Sequence, residues 1–180
     1  YKDTWESLSK HKTPEWYRNA KLGIFIHWGV YSVPAFKNEW YSREMYDKSS
    51  PCYNHHIKTY GNLKDFGYKD FIPMFKAEKF NPDTWTKLFK ESGAKYIMPV
   101  SEHHDGFAMY DTSFNPWNSV NMAMHRNVMK ELKQSFEDNG LTFCASNHRA
   151  EHFFFMNMGR TANSDVNDEK YESFYGPAYY

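Results

Sequence analysis

Three short apolar runs, each ending in histidine, constrain this chain more than any other feature. The first is Leu22-Gly23-Ile24-Phe25-Ile26-His27, the second Lys95-Tyr96-Ile97-Met98-Pro99-Val100-Ser101 with His103-His104 close behind, and the third Leu141-Thr142-Phe143-Cys144-Ala145-Ser146 with His148 close behind. Their length and their β-branched and aromatic residues read as buried strands. Pro99 removes a ladder donor, which favours an edge strand or a bulge there. Helical patterns lie between the runs. Asn81-Pro82-Asp83 is a helix start, Trp85, Leu88 and Phe89 recur at helical spacing, and Gly93 offers the stop. Asn127 can cap a second helix that carries Val128, Leu132 and Phe136 and ends at Asn139-Gly140. Strand, helix, strand, helix, strand predicts an α/β fold with parallel strands and right-handed crossovers.

The remaining segments are less regular. Thr13-Pro14-Glu15 reads as a helix start with Thr13 as cap and Pro14 in the first turn. Residues 28–80 form a long aromatic connection with helical stretches expected near Tyr53–Tyr60 and Tyr68–Phe75, and residues 105–126 read as a loop. Lys plus Arg and Asp plus Glu are both 22, so the net charge is zero and the basic footprint of a nucleic-acid binder is absent. No apolar run has the length of a membrane span. The start at Tyr1, without an initiating Met or a signal-peptide core, reads as an excerpt of something longer. Cys52 and Cys144 cannot make a disulfide framework, and Cys144 is expected to be a buried free thiol. Aromatic residues make up 19% of the chain, which suits either a ring-built core or a pocket that stacks on sugar faces.

Ligands of parallel α/β folds bind outside the carboxyl ends of the strands, where the strand-to-helix loops converge. All three strand ends carry histidine, so His27, His103, His104 and His148 are expected to share a polar pocket, with His152 shortly after. Glu39, Glu102, Asp105 and Glu151 lie in the same loops and could support acid–base work or bind hydroxyls. For Asp105 and Glu151 the structural reading is preferred, namely helix caps or partners of Arg149. His148-Arg149-Ala150-Glu151-His152 also fits the inverted zinc-protease pattern H-x-x-E-H, which normally lies inside a helix, whereas here it directly follows a strand end.

Four longer segments carry a resemblance. They are Trp16 to Pro34 (WYRNAKLGIFIHWGVYSVP), Asn38-Glu39-Trp40-Tyr41, Glu102-His103-His104-Asp105-Gly106-Phe107 and His148-Arg149-Ala150-Glu151-His152. In this order they strongly resemble the α-L-fucosidases of glycoside hydrolase family 29, from about Trp16 to Tyr180. The resemblance implies the N-terminal part of a (β/α)-barrel, TIM-barrel-like and incomplete here, with residues 1–180 forming one piece of a single catalytic domain. It implies hydrolysis of terminal α-L-fucose from fucosylated glycans by a retaining double displacement that needs no cofactor or metal. By motif position, His27, Glu39, Trp40, His103 and His104 look like residues that hold the sugar, with His148 at a further strand end.

Retention needs a nucleophile and an acid/base about 5 Å apart. In the family both follow later strands, so none is expected within these residues. Family members are often secreted, periplasmic or lysosomal. Where relatives tend to read Gly-Pro-Lys-Arg-Asp, this chain has Ala123-Met124-His125-Arg126-Asn127. Three strands cannot close a barrel, so the isolated 180 residues are expected to fold poorly and be inactive, the third strand being an open edge. A non-catalytic sugar-binding module and a zinc hydrolase using His148, Glu151 and His152 stand as the alternative readings.

Overall fold

The computed structural model describes residues 1–177. Four strands form one parallel sheet: β1 (Gly23–Ile26), β2 (Tyr96–Glu102), β3 (Thr142–Phe143) and β4 (Ser146–Asn147). β2 is central. β1 pairs with it in the register Ile24 to Ile97, and β3 and β4 run in succession along it, pairing Phe143 with Ile97 and Ser146 with Val100. The parallel α/β expectation holds, with two corrections. The third run is interrupted at Cys144 and Ala145, and Pro99 lies inside the central strand rather than at an edge. The two are connected. Pro99 has no N–H to offer, and the ladder to the third strand breaks between the Ile97 and Val100 pairs, with a register shift before Glu102. The interruption makes the proline tolerable in mid-sheet.

The helices are α1 (Trp5–Leu8), α2 (Glu15–Ala20), α3 (Tyr41–Glu44), α4 (Pro51–Tyr60), α5 (Pro82–Glu91), α6 (Val128–Asp138), α7 (His152–Met156) and α8 (Glu172–Tyr175), with a 3₁₀ turn over Tyr68–Met74. The Asn81 and Asn127 side chains accept from the Thr84 and Lys130 amides, as capping asparagines do. Both helices stop before a glycine with positive φ, Gly93 and Gly140. On α2 the cap position falls on Pro14, and no side chain caps the helix, so Thr13 does not play the expected part. α6 buries Val128, Leu132 and Phe136 as its spacing predicts. On α5 the apolar face is narrower: Trp85 and Phe89 pack against the core, while Leu88 stays 62% exposed. Ala123 takes φ +60°, a conformation that glycine adopts without strain and an L residue does not. Asn127 nevertheless keeps its capping role.

The ring-rich composition builds most of the core. Trp28 packs edge-on to Phe75 and Trp85 and tilted against Phe80, with centroids about 5 Å away, and Phe107 is buried beside Phe75. Cys52 is buried and free, with its thiol on the Glu44 carboxylate, whereas Cys144 is free but only half-buried, because it sits where the third strand breaks.

α4 is tied down by a buried histidine. The Tyr41 hydroxyl donates to His56 Nδ1 at 3.2 Å, and His56 Nε2 donates to the Phe66 carbonyl at 2.9 Å, which together require a neutral ring. Burial holds the ring's pKa below the usual histidine value. Stability from this group is present above about pH 6.5 and falls as acid protonates the unfolded chain's imidazole but not the folded one. The drop in urea midpoint between about pH 7.5 and about pH 5.5 should therefore be smaller in His56→Gln, whose amide can copy both hydrogen bonds, than in the parent. Equal drops would show that His56 does not contribute to acid sensitivity.

Candidate active site

The carboxyl ends of β1, β2 and β4 bring four imidazoles together. The ring centroids of His27 and His103 are 5.4 Å apart, those of His27 and His148 5.7 Å, and those of His103 and His148 5.0 Å. His104 lies 4.6 Å from His103 and 4.9 Å from His148. One ring nitrogen from each of His27, His103 and His148 lies within 4.8 Å of the other two. The cause is topological: parallel strands end at the same edge, so the residue following each strand faces a common space.

Glu39 and Trp40 join from the long first connection. Glu39 lines a cleft with His27, Tyr31 and Lys37, and the Trp40 indole stands edge-on to His104 at 6.2 Å and to Phe155 at 5.3 Å. All six residues singled out from the sequence thus gather at one edge, graded from solvent to interior. His27 and Trp40 are exposed, Glu39, His104 and His148 are half-buried, and His103 is 3% exposed.

Burial, followed by the neighbouring His104, His148 and His27, pushes His103 down to about 3. His148 is lowered chiefly by burial, with His104 and His27 adding to it. His103 is therefore a neutral ring across the acidic range, able to give one hydrogen bond and take another. His104 Nδ1 donates to the His148 carbonyl at 3.2 Å, which leaves its Nε2 for a ligand, and the ring stacks on Phe155 at 4.9 Å. The Ser146 hydroxyl meets His148 Nε2 at 2.9 Å. Imidazoles, one carboxylate and one indole, gathered on one edge, suit an uncharged ligand rich in hydroxyl groups.

The flanking carboxylates are structural. Asp105 is buried, accepts from the Tyr68 hydroxyl at 2.7 Å and from the Phe107 amide at 3.1 Å, and is pushed up to about 6 by burial. It neither caps a helix nor meets Arg149. That partner is Glu102, whose buried carboxylate takes a hydrogen bond from the Arg149 guanidinium and a longer one from Tyr110. Glu151 is exposed and faces His104 Nδ1 at 3.6 Å.

Nothing in this geometry builds a zinc site from His148, Glu151 and His152. His152 is buried with Nδ1 2.7 Å from the His104 carbonyl and Nε2 2.6 Å from the Phe174 carbonyl, so both ring nitrogens are engaged with backbone. Its role is to hold the His103-His104 loop against α8.

Sequence reasoning passed over Tyr31. Its ring lies 5.1 Å from His103, and its hydroxyl is buried without a hydrogen-bond partner while the ring lines the Glu39 cleft. The visible signal was its place two residues after Gly29 in a strand-end loop. Of the strand-end rings, Trp28 and Phe107 pack in the core and Tyr110 binds Glu102, which leaves Trp40 and Tyr31 as aromatic residues at the cleft.

Comparison with known proteins agrees with this arrangement. A model of the α-L-fucosidase family matches residues 1–180. An α-L-fucosidase of Branchiostoma floridae is 40% identical over 143 residues, which cover 77% of this chain and 31% of that protein. The plasma α-L-fucosidase of Homo sapiens is 41% identical over 131 residues, 72% of this chain and 28% of that protein. The chain thus spans under a third of the length of these relatives. The crystal structure of Thermotoga maritima α-fucosidase in complex with fucose superposes with a TM-score of 0.76 at 32% identity, covering 98% of this chain and 48% of that one. The structure of the Thermotoga maritima enzyme with a mechanism-based inhibitor gives 0.77 at the same identity and coverage. The parallel sheet, the histidine cluster at its carboxyl edge and these likenesses agree: the chain belongs to the α-L-fucosidase family.

Proposed function

We propose that the protein carrying this chain hydrolyses terminal α-L-fucose from glycoconjugates by a retaining double displacement. In this reading residues 1–180 are the N-terminal portion of its (β/α)-barrel and supply much of the fucose pocket. The single observation that carries it is the convergence of His27, His103, His104 and His148 with Glu39 and Trp40 at one sheet edge, in a chain of this family. His103 and His104 would exchange hydrogen bonds with ring hydroxyls, Glu39 would accept from one or two of them, and Trp40 would close the apolar side of the sugar. The nucleophile and the acid/base are assigned to residues outside these 180, as the resemblance to the family implies; of the carboxylates flanking the histidines, Glu102 is engaged by Arg149 and Asp105 by Tyr68 and Phe107.

The test is the stereochemistry of turnover by the whole protein. Proton NMR of an aryl α-L-fucoside digest should show α-L-fucose as the first product, before mutarotation brings in the β anomer. First release of β-L-fucose would replace double displacement with direct inversion. Fucose binding without turnover would favour the non-catalytic sugar-binding reading.

A further inference from the structure

We propose that His27, His103 and His148 also form a binding site for a single divalent transition ion of the zinc class, and that ion and sugar exclude one another. Three observations carry it. First, the three imidazoles present one nitrogen each within 4.8 Å of the others. Three histidines around an open fourth position are a common way to hold zinc, whose roughly 2.0–2.1 Å bonds to nitrogen set ligand nitrogens about 3.3 Å apart in a tetrahedral site. Rotation of the exposed His27 ring and the half-buried His148 ring would close the difference, while buried His103 stays in place.

Second, the Nδ1 atoms of His103 and His148 are both buried with no hydrogen-bond partner. Buried polar atoms rarely go unpaired in native structures, and a bound ion is one reason for the exception. Third, His148 already has the outer contact that zinc-binding histidines use. With Nε2 on the Ser146 hydroxyl at 2.9 Å, Nδ1 is the atom left over for a ligand. His104 is not a member of the set whose nitrogens approach within 4.8 Å of one another. An imidazole set of this kind favours zinc, nickel or copper over calcium or magnesium, which prefer oxygen ligands.

The mutual exclusion rests on the proposed function, since the same three rings are assigned there to the sugar. An ion on them would remove their lone pairs and fill the space between them, making such metals reversible inhibitors rather than cofactors.

The test uses the whole protein, stripped with a chelator and then titrated with Co²⁺, whose tetrahedral nitrogen sites absorb visibly. One Co²⁺ per chain should bind, Zn²⁺ should displace it, and His27→Gln and His148→Gln should each weaken it by about tenfold or more. Circular dichroism of the two variants establishes that they are folded; His27 is exposed, so its replacement leaves the core intact. No saturable Co²⁺ uptake, or uptake that both folded variants retain, would overturn the site. Fucose binding is measured separately, calorimetrically and in the presence of chelator. Loss of the Co²⁺ bands on adding saturating L-fucose supports exclusion, and their persistence in a protein that binds L-fucose under chelator overturns it. A protein that takes up Co²⁺ but never binds L-fucose overturns the sugar assignment and leaves the metal site standing.

Discussion

Replacing His104 by Phe in the whole protein is expected to lower kcat/KM for an aryl α-L-fucoside by roughly 30- to 1,000-fold, about 2–4 kcal/mol of transition-state binding. The substitution is informative because the ring lies stacked on Phe155 at 4.9 Å, so a phenyl group preserves the shape of the site while deleting both nitrogens. What disappears is the hydrogen bond to the His148 carbonyl and the Nε2 that it leaves for the ligand. A sugar hydroxyl then enters the pocket without its partner, and an unpaired buried hydroxyl carries its full desolvation cost. Glu39→Gln keeps the size of the side chain, removes the charge and should cost about one to two orders of magnitude. The measurements are steady-state kinetics together with the inhibition constant of L-fucose. If both variants kept the parent's values, these residues would have no part in holding the sugar.

The largest effect on stability is expected from Asp165→Ala, at about 3–5 kcal/mol. Asp165 is 3% exposed and sits at the centre of a polar knot. Its carboxylate accepts from the Tyr46 hydroxyl at 3.0 Å, from the Tyr175 hydroxyl, and from Lys69 Nζ at 3.2 Å. The knot continues into the backbone, because the Tyr68 amide donates to the Tyr46 hydroxyl and the Lys69 amide donates to the Tyr175 hydroxyl. Gly67 belongs to it as well: a Cβ there would come within about 2 Å of the Asp165 carboxylate.

Removing the carboxylate takes the acceptor from two buried hydroxyls and leaves the ammonium of Lys69 with Asp70, at 2.6 Å, and the face of the Tyr171 ring. Tyr175→Phe removes a single donor and should cost about 1–2 kcal/mol. Against a typical total of about 5–15 kcal/mol, the first change threatens folding and the second does not. Urea denaturation of both variants checks the ratio, and equal losses would mean that the carboxylate is not the centre of the knot. The knot joins the segments around Tyr46 and Tyr68 to the chain beyond residue 160, and Tyr68 in turn donates its hydroxyl to Asp105, next to the His103-His104 pair.

Much of the sheet was legible because its signals are local. Compact apolar runs mark strands, Asn81 and Asn127 mark helix starts, Gly93 and Gly140 mark stops, and strand–helix alternation implies parallel pairing. The clustering of His27, His103, His104 and His148 follows from the same logic, since each stands just past a strand and parallel strands end at one edge. The motifs that resemble the α-L-fucosidases added Glu39 and Trp40, which periodicity alone could not have selected from a 53-residue aromatic connection spanning residues 28–80.

Other features have no local signature. The break at Cys144 and Ala145 depends on which β2 residue stands opposite, and that residue is set by register. Leu88 has helical spacing yet faces solvent, because spacing defines a face without saying how wide the contact will be. Arg149 chose Glu102 rather than Asp105 or Glu151 because it meets Glu102 at the end of β2, 47 residues away in sequence. Tyr31, His152 and Asp165 acquire their roles from partners brought near only by the folded chain. The sequence by itself thus determined the order of elements, the parallel sheet and the edge at which histidines collect, because short-range sterics, capping and hydrophobic period act within a few residues. Only the tertiary structure decided which carboxylates are structural, which tyrosines are buried and how closely the imidazoles approach, because those depend on desolvation and on contacts between distant segments.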